Sequence, residues 1–215
     1  RVLMGQRSRH AVFMPGVFVF PGGAVDTADA EVRLQRSAGP ICLQRLCNSG
    51  AEDSASTATA LQAAAIREVS EETGLLLASE GAWPGPAPAP RGWKLFEENA
   101  CVPAADGLRF VFRAITPPGA PRRFDARFFL VNADSAVHGD DLDDFSGAAD
   151  ELSDLRWVPL DEVASLRIAF ITSLALDTAT PLIPHDDPPP SVPCIADGTE
   201  RRLREAHPDR ERFAF

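Results

Sequence analysis

"REVSEETG", residues 67–74, closes what reads as a helix and puts three glutamates into its last turn and a half. The carbonyl end of a helix carries partial negative charge, so carboxylates there are mildly unfavourable and cations are favoured. The residues before it make a helix the natural reading. "TALQAAAIREVSEET" is rich in Ala, Leu, Gln, Arg and Glu, all good helix formers. Thr59 and Gln62 stand at capping-box spacing, and Gly74 suits the left-handed position after the last turn. Glu68, Glu71 and Glu72 are then related as i, i+3 and i+4, so their carboxylates share a face and repel one another. Arg67 can pair with Glu71 at i+4 but cannot neutralise all three. A hard divalent cation, Mg²⁺ or Mn²⁺, would remove the conflict. Taken alone, an acidic helix segment is usually a solvated face, so the rest of the chain has to decide.

The chain has 215 residues and a net charge of −10, which argues against a nucleic-acid surface or a polybasic membrane patch. A phosphate-bearing small molecule stays open, provided that cations supply positive charge. No apolar run approaches the roughly 20 residues of a membrane span. Cysteines 42, 47, 101 and 194 form no C-x-x-C pair, so zinc is not expected and reduced thiols in a cytoplasmic protein are. The four histidines are scattered and read as structural or surface residues.

Working outward, "RVLMGQR" and "GVFVFPGG" read as strands, the second ending on Pro21 and two glycines. Residues 30–56 read as helical "AEVRLQR", a break at Gly39-Pro40, helical "ICLQRLC" and a polar stretch. "LLLA" reads as a strand, "WPGPAPAP" as a loop and "WKLFEENA" as a short helix. "GLRFVFRAIT" and "RRFDARFFLV" read as an antiparallel pair, with Phe110, Phe112, Phe128 and Phe129 as core. An acidic loop, "HGDDLDDFSGAAD", leads to a strand at "ELSDLRWVPL" and then to one or two helices. Residues 186–215, rich in Pro and charge, are expected to form an extended tail, partly ordered or used at a homodimer contact. The pattern favours a mixed α+β sheet domain over residues 1–185.

"FPGGAVDTAD" and "REVSEETG" together resemble the Nudix box, G-x5-E-x7-R-E-U-x-E-E-x-G-U with U aliphatic. Arg67, Glu68, Val69, Glu71, Glu72, Gly74 and Leu75 match the second half at every fixed position. Gly23 takes the opening glycine, and Asp29 stands where the box has its first glutamate. Between Asp29 and Arg67 lie 37 residues instead of seven, an insertion at about 30–59 that is expected to loop out. Upstream, "LMGQRSRHAVFMPGVFVFPGG" is similar to the stretch before the box in coenzyme A diphosphatases. Leu3, Arg7, Ser8, Gly16, Phe20, Pro21, Gly22 and Gly23 fit, while Val12 occupies the place of a second arginine. With the long insertion, the peroxisomal-type subgroup is the nearest likeness.

The resemblance implies a Nudix fold, a mixed β-sheet between helices (α/β/α), and cleavage of a diphosphate linkage by water. It implies Mg²⁺ or Mn²⁺ on Glu68, Glu71 and Glu72, with the Gly23 carbonyl as a further ligand and Glu72 as the most sensitive. Arg67 would hold a glutamate by a charge-assisted hydrogen bond. The expected base is Glu151, with Asp150 and the acids of 140–144 behind it. Arg7, Arg122 and Arg123 are candidates for substrate phosphates. Coenzyme A or acyl-coenzyme A leads as substrate, and an ADP-ribose or NADH-type pyrophosphatase is the runner-up. A non-catalytic Nudix-fold binding or regulatory module is the alternative from another class. Loss of box glutamates would mark such a module, and the three metal-binding ones are kept here.

Overall fold

The computed structural model describes residues 1–9, 14–48, 55–120, 122–196 and 199–203. Strands Val2–Arg7 (β1) and Phe18–Val19 (β2) pair antiparallel and are followed by a 3-10 turn at Thr27–Glu31. Helices Pro40–Cys47 (α1) and Ala55–Thr73 (α2) lead to strand Leu76–Glu80 (β3). Helix Lys94–Glu98 (α3) and strand Cys101–Pro103 (β4) precede Arg109–Ile115 (β5) and Asp125–Leu130 (β6). Then come Ala133–Ala136 (α4), Val137–His138 (β7), Leu152–Val158 (β8), Phe170–Ala179 (α5), Val192–Ala196 (β9) and Thr199–Leu203 (β10).

The largest sheet has the order β10-β9-β5-β6 and is mixed, with β5 and β9 parallel and its other pairs antiparallel. Smaller sheets, β2-β1-β8 and β4-β3-β7, flank the box turn and the strand after α2. The core centres on β5. Phe110 packs with Leu46 of α1, Ile66 of α2, Trp93 and Phe96. Phe112 and Ala114 pack instead with Ala175 of α5. A register shift between Phe110 and Phe112 accompanies this change of partner. Helices therefore cover the sheet from two sides, the α+β arrangement expected from the sequence. Phe128 and Phe129 are half-buried against Phe112 and Phe110, so all four rings serve the core. No helix among the described residues is long and apolar enough to cross a membrane.

Several local expectations give way. "AEVRLQR" is helical only in the 3-10 turn, and residues 32–39 carry no regular structure. Pro40, at the first turn of α1, starts the helix anew, where its missing N–H costs nothing. The insertion does not simply loop out, because Cys42 and Leu46 of "ICLQRLC" are buried in the core. Residues 49–54 of it lie outside the described residues, as does Val12. Thr59 and Gln62 do not cap α2, which already runs from Ala55. Thr59 Oγ1 donates to Ala55 O, while Gln62 accepts from Ala38 N–H and donates to Ala58 O. Within the expected tail, Val192–Ala196 and Thr199–Leu203 pair antiparallel and add two strands to the main sheet, with Val192 and Cys194 buried. Arg45 of α1 holds the lead-in by donating to the carbonyls of Pro189 and Pro190. Residues 204–215 lie outside the described residues.

Candidate active site

Helix α2 ends at Thr73 with no basic residue in its last turn. Gly74 follows at φ +77°, a left-handed conformation that a side chain would strain, and its N–H donates to Ser70 O. The helix thus delivers Arg67, Glu68, Glu71 and Glu72 together, against the turn that leaves β2.

Arg67 is the hub. Its guanidinium donates bidentately to Asp29, Nε to Oδ1 at 2.9 Å and Nη2 to Oδ2 at 3.0 Å. Nη2 also reaches Ala24 O at 2.8 Å. Nη1 donates to Glu68 Oε1 at 2.9 Å and to Glu71 Oε2 at 2.7 Å. Asp29 is fully buried, and its Oδ2 also accepts from Asp26 N–H at 2.8 Å. The shorter aspartate thus bridges the turn to the helix despite the long insertion. Planar, charge-assisted forks of this kind fix orientation as well as adding energy. Burial works against the Arg67 charge, but the hydrogen bonds it donates to Asp29 and Glu71 outweigh it and hold the guanidinium firmly protonated.

The two glycines serve for different reasons, Gly22 for its backbone at φ +152° and Gly23 for lack of space. Gly22 N–H donates to Glu72 Oε2 at 2.7 Å. A Cβ on Gly23 would stand 2.5 Å from the Glu68 carboxyl, so any side chain there would displace that carboxylate. Burial first, and then the charges of Glu68 and Glu151, push the Glu72 carboxyl up to about 7, against the Gly22 N–H and Arg7. Glu68 is raised as well, by burial and by Glu71 and Glu151, with Arg67 opposing. Glu151, although exposed, therefore lies within electrostatic reach of both box glutamates, as does Arg7 of Glu72.

The other candidates separate from this group. Asp141 and Asp144 accept from the N–H groups two residues on, those of Asp143 and Ser146, and shape the acidic loop. Arg122 lies over the Phe124 ring and Arg123 donates to Thr116 O. Both are engaged inside the β5–β6 connection, and among the described residues no contact joins them to Arg67 or the box glutamates. Conversely, sequence reasoning did not reach Ala24 O, or Gly92. A Cβ on Gly92 would stand 2.8 Å from Arg67 Cγ and 2.9 Å from Glu71 Cδ, so the Pro-rich loop packs directly on the hub. Nothing local in "APRGW" announces that contact.

Among the described residues, no group of three or more His, Cys, Asp or Glu side chains is placed to hold a metal ion. The donor chemistry nonetheless fits a hard divalent cation. Glu68, Glu71, Glu72 and Glu151 are all carboxylates, Arg67 is hydrogen-bonded to Glu68 and Glu71, and burial with like charge drives Glu72 toward protonation. A cation would relieve that conflict.

No family model matches the sequence. The chain is 31% identical to a Caenorhabditis elegans protein named as Nudix hydrolase 7, over 74% of this chain and 46% of that protein. It is 30% identical to human acyl-coenzyme A diphosphatase, over 60% of this chain and 47% of the relative. It thus spans about half the length of these relatives. In fold it is similar to the crystal structure of a Nudix hydrolase from Alicyclobacillus acidocaldarius, with a TM-score of 0.56 and 26% identity, covering 85% of this chain and 87% of that one.

Proposed function

The chain belongs to the Nudix superfamily, and on that premise we propose that it is a divalent-cation-dependent hydrolase of a diphosphate linkage, with coenzyme A or an acyl-coenzyme A as substrate. One observation carries the reading: a single guanidinium, Arg67, gathers Asp29, Glu68 and Glu71 while Gly22 N–H holds Glu72. Such a cluster has a surplus of negative charge fixed in place by backbone and fork, which is what a cation site for an anionic substrate requires. Glu68, Glu71 and Glu72 would hold Mg²⁺ or Mn²⁺, with the Gly23 carbonyl beside them. The ion would supply positive charge to the phosphate oxygens and lower the pKa of a bound water.

The chain's own groups supply the rest. Arg67 fixes the rotamers of Glu68 and Glu71. Glu151, within electrostatic reach of Glu68 and Glu72, accepts the proton of the attacking water. Arg7, next to Glu72, offers a guanidinium to a substrate phosphate. The choice of an acyl-coenzyme A substrate is supported by the human relative and by the "LMGQRSRH" stretch. Val12, in place of the second arginine, favours a second reading, a pyrophosphatase of the ADP-ribose or NADH type.

A panel assay decides between them: coenzyme A, acyl-coenzyme A, ADP-ribose, NADH and diadenosine polyphosphates, each with Mg²⁺ or Mn²⁺ and with products identified. Faster turnover of the coenzyme A compounds supports the first reading, and faster turnover of ADP-ribose or NADH the second. No hydrolysis of any of them would leave a binding module.

A further inference from the structure

Glu151 is exposed and comes after a long acidic loop, yet the segment on either side of it is tightly seated. Four residues before it, Gly147 lies against the glycine that ends α2. A Cβ on Gly74 would stand 3.0 Å from Gly147 Cα. A Cβ on Gly147 would stand 3.2 Å from Gly74 Cα and 3.3 Å from Leu95 Cδ1 of α3. Two residues further on, Ala149 N–H donates to Glu71 O at 2.7 Å. One residue after Glu151, Leu152 is buried and paired with Arg7 in the β1–β8 register. There too only a glycine fits, since a Cβ on Gly5 would meet Leu152 Cβ at 2.8 Å.

We propose that Gly147 is a positioning residue: seated in the slot between Gly74 and Leu95, it sets the distance between Glu151 and the box glutamates. The inference rests on the hydrolase reading of this site. It also explains why an exposed carboxylate on a loop can act with fixed geometry. The backbone of Gly147 is not in the left-handed region, so alanine there meets a steric obstacle and no conformational one. The Leu95 side chain can yield to that methyl. Gly74 Cα, at the end of the helix that carries the glutamates, cannot yield without moving them. The loop therefore moves outward, lengthening the Ala149–Glu71 bond and taking Glu151 with it.

The test is a double-mutant cycle of Gly147→Ala and Glu151→Gln. Three properties are read: kcat and KM on the best panel substrate, Mn²⁺ affinity by calorimetry, and hydrogen exchange of the Ala149 amide. In Gly147→Ala, kcat falls by about tenfold or more with KM held, Mn²⁺ binds more weakly, and the Ala149 amide exchanges faster. In the Glu151→Gln background Gly147→Ala adds nothing further to the loss of kcat or of Mn²⁺ affinity. Additive losses would show a purely structural residue and overturn the proposal. So would faster Ala149 exchange with kcat and Mn²⁺ affinity unchanged. Should Gly147→Ala not fold, the cycle is run with Leu95→Ala added, which opens the slot from its other side. A wild-type chain that hydrolyses nothing sinks the hydrolase reading alone, and the Mn²⁺ cycle still decides this one.

Discussion

Two guanidinium–carboxylate clusters in this molecule are centred on opposite charges. At the box, one arginine, Arg67, is hydrogen-bonded to three carboxylates, Asp29, Glu68 and Glu71. In the main sheet, one carboxylate, Asp125, is shared by two arginines, with Arg113 Nε at 2.7 Å and Arg127 Nη1 at 3.2 Å. Both tie neighbouring elements together, so ion pairing alone does not distinguish a functional cluster from a structural one. What differs is burial of the minority partner and the unresolved charge. Arg67 is enclosed, with its side chain 7% exposed, and leaves two negative charges over. Asp125 is 41% exposed, so water and salt can screen its charge. A large surplus that solvent cannot screen implies a ligand of opposite charge.

Neutralising the surplus should have the largest effect. Glu72→Gln keeps an acceptor for Gly22 N–H but removes a charge from the proposed cation site. Hydrolysis should fall by more than about a hundredfold, beyond the usual cost of groups that only support a ligand. The melting temperature without added metal should hold or rise, because the variant no longer buries a carboxylate held up to about 7. Retained activity, or an unfolded variant, would count against the site. Asp29→Asn attacks the structural half of the same cluster. Breaking a buried pair from one side costs about 3–5 kcal/mol, which urea unfolding would read. A loss no greater than that of an exposed pair would show that Asp29 does not bridge the turn to the helix.

Cations test the surplus more gently. At a free concentration a hundredfold above Kd, Mg²⁺ should add about 2.7 kcal/mol of stability, and Glu72→Gln should lose much of this gain. Glu72 sets the sign with pH. Its folded pKa lies above the ordinary value of 4.5, so without cation its contribution is intact below that value and is lost as pH rises through about 7. Melting curves of the metal-free chain across that window should fall, and added Mg²⁺ should flatten them. A metal-free curve that rises there instead would break the assignment of Glu72 to a buried, cation-seeking position.

Much of this site was legible in the sequence because its logic is local. The spacing of Glu68, Glu71 and Glu72 on one helix fixes their shared face whatever surrounds them. The five residues between Gly23 and Asp29 keep the box spacing, so the turn is readable however long the insertion behind it. The rest depends on partners far along the chain. Thr59 and Gln62 have capping spacing, but burial of Gln62 against Ala38 shows that this part of the helix is interior. "SVPCIA" is short and comes after three prolines, and it becomes a strand only because β5 offers an edge. Gly92 and Gly147 look like ordinary loop glycines. Their value lies in what they touch, the Arg67 stem and Gly74, and the seating of the Gly92 loop depends on Trp83 stacking on Trp93 at 5.7 Å.

The sheet cluster supplies the smallest effect and the control for all the others. Burial alone would raise the Asp125 carboxyl, but hydrogen bonding to Arg113 and the Arg127 charge outweigh it and hold it below the usual 3.8. Its contribution is therefore present above that value and is lost as pH falls below it through the lowered folded pKa. Arg113 and Arg127 are buried but Asp125 is half-open to water, so Asp125→Asn should cost less at neutral pH than the about 3–5 kcal/mol of a fully buried pair broken from one side. Hydrolysis and the Mg²⁺-induced gain in stability should stay at wild-type levels. Urea unfolding repeated as pH falls below 3.8 should bring variant and wild type progressively together, because the wild-type carboxylate is then being protonated. If Asp125→Asn instead abolished the Mg²⁺ response, the sheet cluster and the box would be one electrostatic unit, and the contrast between them would be lost.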